Sequence, residues 1–291
     1  MLLAPWAAPF QGYIFDLDGT VYLGERLIPG AADAIAELRA RGAGVLFLTN
    51  KPLYSRADYA RKLTGLGIPA GPDDVINSSA VMADFLRREA PGARVYCIGE
   101  PPLLQELADA GMQLVADPRL AGAEVDFVVA AFDRTFDYDK LDCALQAIKK
   151  GARFVATNAD RTCPVDGGEI PDCAGIIAAI EAVSGQAVEV VVGKPHPLTV
   201  QAALNKLGLP AERCLMVGDR LETDIAMGNK AGMKTALVLT GVSTRADVEK
   251  AAAAGIAWPD FVIGSVAEVP GLSPAGDGAR AWRPPVVGAA D

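Results

Sequence analysis

The sequence predicts an α/β protein built on a mostly parallel sheet, and two observations carry that expectation. Short apolar runs alternate almost throughout with Ala- and Leu-rich amphipathic stretches, the pattern of repeated strand-helix-strand units. Helix punctuation falls between the runs, where such units require it.

The runs place strands over 13–17, 45–48, 75–77, 94–98, 127–130, 154–156, 189–192, 214–217, 235–239 and 261–263. Ser55 with Asp58 three residues later has the form of a capping box, and Gly67 lies where that helix should stop. Pro29 and Pro197 suit helix starts, because the fixed φ of proline matches the first helical position. Positions 273–291, rich in Pro, Gly and Ala without apolar periodicity, have the composition of a flexible tail. Residues 42–50 and 151–158 both run from glycine through an apolar strand into Thr-Asn, but their flanks differ, so they represent two similar strand ends rather than a duplicated domain.

At 291 residues the chain is long enough for two domains. Its formal charge of −9 argues against a nucleic-acid or anionic-membrane surface, which needs clustered Lys and Arg. An anionic substrate must then be captured locally. No apolar stretch is long enough to suggest a membrane span, and the first eleven residues lack the basic start and apolar core of a signal peptide, so a cytoplasmic location is expected. The five cysteines are scattered without paired zinc-ligand spacing, which favours reduced thiols. His196 is the single histidine, and no Gly-x-Ser-x-Gly elbow accompanies it.

Four polar clusters follow apolar runs: residues 16–20, Thr49-Asn50, Gly193-Lys194-Pro195, and 218–224. The carboxyl ends of parallel strands form a ligand crevice, so clusters distant in sequence can converge there. Asp16 and Asp18, two residues apart on an extended segment, send their side chains to one side. Taken alone, this segment is equally well an ordinary Asp-Gly turn. An EF-hand needs Gly and Glu where Val21 and Leu27 stand, and a P-loop needs Ser or Thr where Pro195 stands. Cys214 and Arg220 have the spacing of cysteine phosphatases, but Asp219 would oppose a bound phosphate, and Cys214 reads as a buried small hydrophobe. The acids of 218–224 also suit the start of a capped helix.

In order, DLDGT, TN, GKP and GDRLETD resemble the four motifs of the haloacid dehalogenase-like superfamily, and YIFDLDGTVYLG with TGVST resembles its NagD-like, nitrophenylphosphatase-type (class IIA) subfamily. That resemblance implies a Rossmann-like core with an inserted α/β cap. The 143 residues between Asn50 and Lys194 leave room for one. The expected division is core over 1–79 and 185–270, cap over 80–184, and tail over 271–291.

The resemblance further implies that Asp16 attacks phosphorus to form an aspartyl-phosphate, while Asp18 acts as acid and then base. Mg2+ would bind Asp16, the carbonyl of Asp18, and Asp219, with Asp224 orienting that shell and Thr20 supporting it. Thr49, Asn50 and Lys194 would hold the transferring oxygens, Lys194 also neutralising Asp16, with Arg220 and Thr223 as further substrate contacts. Asp133, Arg134, Asn158, Asp160 and Arg161 lie at or after expected cap strand ends, where they could face the substrate or a solvated loop. Two departures stand out: Lys51-Pro52 follows Thr-Asn, and Ala159 replaces the proline of the usual cap phrase.

The expected activity is Mg2+-dependent hydrolysis of a small phosphomonoester, with sugar phosphates preferred over nucleotides, phosphoglycolate or pyridoxal phosphate. A dehalogenase needs no proton donor and typically lacks the second Asp, a phosphomutase typically has a smaller cap, and a binding protein on an inherited fold would have lost a charged site residue. None is missing. Beyond a small-molecule substrate, the one partner expected is a second copy, in a homodimer through the cap.

Overall fold

A computed structural model of the chain describes residues 9–165, 167–254 and 258–273. Of the expected tail, positions from 274 on lie outside the described residues.

The chain divides into two compact units, one formed by residues 1–49, 60–75 and 200–291, the other by 50–59 and 76–199. The first carries a six-stranded sheet in the order Phe261–Ile263, Lys234–Val238, Cys214–Gly218, Gly12–Asp16, Gly44–Thr49, Val75–Asn77. Strand Gly12–Asp16 pairs in parallel with both of its neighbours. All five of its residues are buried, as expected of a central strand covered on both faces.

From this strand the chain builds outward in one direction through Gly44–Thr49, then returns to build in the other through Cys214–Gly218. The reversal makes Asp16 the end of a strand at a topological switch point, where open α/β sheets bind ligands. Register sharpens the placement: Asp16 is opposite Leu48, one residue before Thr49, and Phe15 is opposite Val217, one residue before Gly218.

The second unit has its own parallel sheet, in the order Val190–Val191, Arg153–Ala156, Phe127–Ala130, Arg94–Ile98, Gln113–Leu114. Helices Tyr138–Lys149 and Cys173–Ser184 pack on it through Cys143, Ala144, Ala147, Ile148, Ile176, Ile177 and Ile180. Burying each of the four isoleucines is worth about 1.5–3 kcal/mol. Their helices are started by Asp137 and Asp172, whose carboxylates accept the N–H groups of Lys140 and Cys173.

The expected strands fall within a residue or two of those observed. The capping box forms as expected: Asp58 N–H donates to Ser55 Oγ at 3.1 Å, and Ser55 N–H to Asp58 Oδ2 at 3.1 Å. Pro197 opens helix Pro197–Leu207. Pro29 does not open its helix, which spans Ala31–Ala40 after Gly30 in a left-handed conformation (φ 80°), a geometry glycine adopts freely. The antiparallel hairpin Thr162–Val165 with Gly168–Pro171 was not expected. Prolines 164 and 171 and glycines 167 and 168 mask its strand signal.

Candidate active site

In the first unit, the loop after Asp16 is wound tightly. Leu17 C=O accepts the N–H groups of Thr20, Val21 and Tyr22, and Gly19 N–H donates to Tyr22 C=O at 2.7 Å. Gly19 sits at φ 89°, and a β-carbon there would come within 2.6 Å of Asp219 Oδ2. Only glycine meets both demands. Thr240 Oγ1 donates to Gly19 C=O at 2.6 Å and pins the loop from the other side.

Asp219 follows strand Cys214–Gly218 directly. Its Oδ2 accepts Val242 N–H at 2.7 Å, and its backbone carbonyl accepts Ser243 N–H at 3.0 Å. Asp224 lies in a π-helical turn, Leu221–Ile225, that leads into helix Ala226–Ala231. Such turns recur at functional sites. Its Oδ2 accepts Arg220 N–H at 3.1 Å, so Asp224 also does the work of a cap. A β-carbon on Gly218 would sit 2.3 Å from Asp224 Cβ, so the backbone there admits only glycine.

These turns bring three carboxylates together. Asp16, Asp219 and Asp224 each offer an oxygen within 4.8 Å of the other two, and all are buried, with 7%, 2% and 1% of their surface exposed. At that separation two carboxylates repel by about 3 kcal/mol or more, taking an effective dielectric near 20. Buried anions packed so closely fit a divalent cation, and an all-oxygen donor set suits a hard one. Asp18 is not in this side-chain group; the atom expected of it is its backbone carbonyl. Thr20 is fully buried, and among the described residues its hydroxyl has no hydrogen-bond partner. Arg220 and Thr223 are half-buried on the same turn as Asp224.

In the second unit, Asn50 and Lys194 lock together. Lys194 N–H donates to Asn50 Oδ1 at 2.8 Å, and Asn50 Nδ2 donates to Lys194 C=O at 3.2 Å. Ser78 Oγ donates to Asn50 C=O at 2.5 Å. Lys194 is 4% exposed, which removes it from the class of solvated surface lysines. His196 Nδ1 accepts Leu198 N–H at 3.2 Å at the start of helix Pro197–Leu207, a structural use of the single histidine.

Asp133 is buried and accepts from Lys140 Nζ at 2.6 Å and from the N–H and hydroxyl of Thr135. Burial alone would raise its carboxyl; Lys140 and Thr135 together outweigh that and hold it below the usual value. Arg134 is held in a fork by Glu100, with both contacts at 2.7 Å. Cys214 is fully buried, its thiol pushed up to about 11 by burial, in keeping with a small hydrophobe.

The segment 240–243 holds Asp219 and Gly19 in place, and no role was expected of those residues. A signal for it existed: it is a fifth polar cluster following an apolar run.

Residues 13–113 match a model of the haloacid dehalogenase-like hydrolases, and residues 191–269 match a HAD-hydrolase-like model. The chain is 41% identical over 265 residues to the sugar-phosphatase AraL of Bacillus subtilis, covering 91% of this chain and 94% of that protein. It belongs to the haloacid dehalogenase-like superfamily. Within that superfamily it is a NagD-like, nitrophenylphosphatase-type (class IIA) member, a phosphoric monoester hydrolase with a Rossmann-like core and an inserted α/β cap.

Among solved members of the superfamily, the 4-nitrophenylphosphatase of Thermotoga maritima superposes with a TM-score of 0.83 at 36% identity, covering 91% of this chain and 97% of that one. A glycerol phosphate phosphatase of Mycobacterium tuberculosis, solved in complex with magnesium, superposes with a TM-score of 0.82 at 32% identity, covering 90% and 76%. The same phosphatase is also known with calcium. A divalent metal is thus at home in this superfamily, and the Asp16, Asp219 and Asp224 group has the donors for one. No helix among the described residues is long and apolar enough to cross a membrane.

Proposed function

We propose that the chain is a Mg2+-dependent sugar phosphatase working through an aspartyl-phosphate on Asp16. The observation that carries the proposal is the group of three buried carboxylates, Asp16, Asp219 and Asp224, within 4.8 Å at the sheet's switch point. Three buried carboxylates this close repel one another, and a divalent cation bound among them relieves that repulsion.

Asp16 attacks phosphorus, and the bond from phosphorus to the leaving oxygen breaks. Asp18 gives that oxygen a proton, then takes one from the water that releases phosphate. Thr49, the backbone of Asn50, and Lys194 hold the phosphoryl oxygens, with Arg220 and Thr223 on the substrate and Thr20 supporting the loop. Asp16, the Asp18 carbonyl and Asp219 would bind the metal, with Asp224 orienting them. When bound, the ion supplies positive charge that lets an anionic carboxylate approach an anionic phosphoryl group. Residues 80–184 act as the cap, and a cap-mediated homodimer belongs to the same proposal.

Sugar phosphates are favoured as substrates because the curated relatives are named sugar phosphatases. Nucleotides, phosphoglycolate and pyridoxal phosphate are the competing class. A panel of these phosphomonoesters, assayed with Mg2+ and with chelator, tests the proposal. The expected result is the highest kcat/KM on a sugar phosphate and none with chelator. Turnover independent of metal, or confined to the competing class, overturns it.

A further inference from the structure

The two Thr-Asn strand ends noted in the sequence, Thr49-Asn50 and Thr157-Asn158, converge on one acid, Asp160. Its Oδ2 accepts Asn50 Nδ2 at 3.1 Å and Asn158 Nδ2 at 3.2 Å. We propose that Asp160 is a positioning residue for Lys194, acting through Asn50. The proposal rests on the phosphatase reading above, in which Lys194 holds the phosphoryl group.

The side-chain amide of Asn50 can present its oxygen or its nitrogen to either side, since the two ends are nearly alike in shape. One side faces Lys194 N–H, which only donates. The other faces the Asp160 carboxylate, which when ionised only accepts. Together they permit one orientation, with Oδ1 on Lys194 N–H and Nδ2 shared between Asp160 and Lys194 C=O. Without the acid, Lys194 C=O is the one acceptor of the two left to select nitrogen over oxygen, and the orientation is held less firmly. A flipped amide would set its NH2 against Lys194 N–H and release the lysine.

Asp160 is itself anchored. Its backbone carbonyl accepts Ala174 N–H at 3.0 Å, and Asn158 also donates to Asp172 Oδ1 at 3.0 Å and accepts Thr157 Oγ1 at 3.0 Å. Asn158 and Thr157 are fully buried, and Asp172 is 3% exposed. The residue before Lys194 rests on the same network. A β-carbon on Gly193 would lie 2.5 Å from Thr157 C=O, 2.9 Å from Asn50 Oδ1 and 3.2 Å from Asn158 Cβ. Lys194 is therefore carried by a peptide wedged between both Thr-Asn ends, with Asp160 as their common acceptor. Lys51 and Ala159, where the sequence departs from its subfamily, are the immediate chain neighbours of Asn50 and Asp160.

The test compares Asp160→Ala and Asp160→Asn with the parent, measuring kcat and KM on p-nitrophenyl phosphate and on a sugar phosphate that the parent hydrolyses. Removing the acceptor should lower kcat about 10- to 100-fold on both substrates, the effect of one charge-assisted hydrogen bond. Both should fall alike, because Lys194 acts on the phosphoryl group they share. Asp160→Asn, whose side-chain carbonyl still accepts, should stay within a few-fold of the parent. Should Asp160→Ala fail to fold, Asp160→Glu moves the acceptor by one methylene and is expected to lose kcat in the same way.

A parent-like kcat in Asp160→Ala or Asp160→Glu overturns the proposal. So does a loss confined to the sugar phosphate, which makes Asp160 a substrate contact, or an Asp160→Asn variant as impaired as Asp160→Ala. Those outcomes leave the phosphatase itself standing, whereas a parent without turnover on any phosphomonoester overturns both.

Discussion

Gly241 lies so close to Asp219 that a β-carbon on it would sit 2.0 Å from Oδ2 and 2.5 Å from Cβ and Cγ. No rotamer of Asp219 relieves a clash with its own Cβ, so Gly241→Ala must move the acid or the loop that holds it. Because Gly241 is exposed, the cost should fall on the site more than on the fold. Turnover is expected to drop by about 10-fold or more, with the Mg2+ needed for half-maximal activity rising, while stability changes by no more than about 1–2 kcal/mol. Gly71→Ala, at an ordinary φ of −102° and with the nearest side-chain atom 4.0 Å from the added carbon, is the control for the added methyl group alone.

The three-carboxylate group implies opposite effects of one substitution in two states. Asp224→Asn removes one of three mutually repelling charges, while its side-chain oxygen can still accept Arg220 N–H. The metal-free variant should therefore unfold at a higher temperature than the metal-free parent, each 1 kcal/mol of relief raising the midpoint by about 2–4 °C in a chain of this size. Saturating Mg2+ should raise the parent's midpoint and the variant's much less. Thermal unfolding with chelator and with Mg2+ reads both effects. An unchanged metal shift in Asp224→Asn would remove Asp224 from the metal's surroundings.

How much of this was legible in the sequence follows from the range of the forces involved. Asp16, Thr49 and Gly218 could be placed at strand ends because each follows an uninterrupted apolar run, a local signal. That Asp16 lies at the switch point depends on strand order, which is decided by packing between segments some two hundred residues apart. Cys214 was legible as a core residue because its neighbours 215–217 are apolar. The part played by Gly241 was not, because it consists of a clearance to Asp219 that no local pattern encodes. Asp133 and Asn158 could be placed after strands, but not distinguished as buried members of polar networks.

The Asp133 pair gives a pH-dependent stability. Lys140→Ala strips the cation from a buried carboxylate, normally a loss of several kcal/mol, reduced here because Thr135 still donates twice and Lys140 is partly exposed. A loss of about 2 kcal/mol near neutral pH is expected. The Asp133 carboxyl is held below its usual 3.8, so the pair's contribution is present above that value and is lost as pH falls through the native one. Urea unfolding of parent and variant should accordingly differ at about pH 7 and converge below about pH 3.8. A difference independent of pH would mean that the lysine acts through packing and not through charge.

The claim on which the rest depends is that Asp16 attacks phosphorus. It is tested most directly by turnover of p-nitrophenyl phosphate with Mg2+ by Asp16→Asn, a variant of nearly equal shape whose amide is a poor nucleophile. With native folding confirmed by its thermal transition, the variant is expected to lose activity by about 1,000-fold or more. An Asp16→Asn protein within tenfold of the parent would contradict the account.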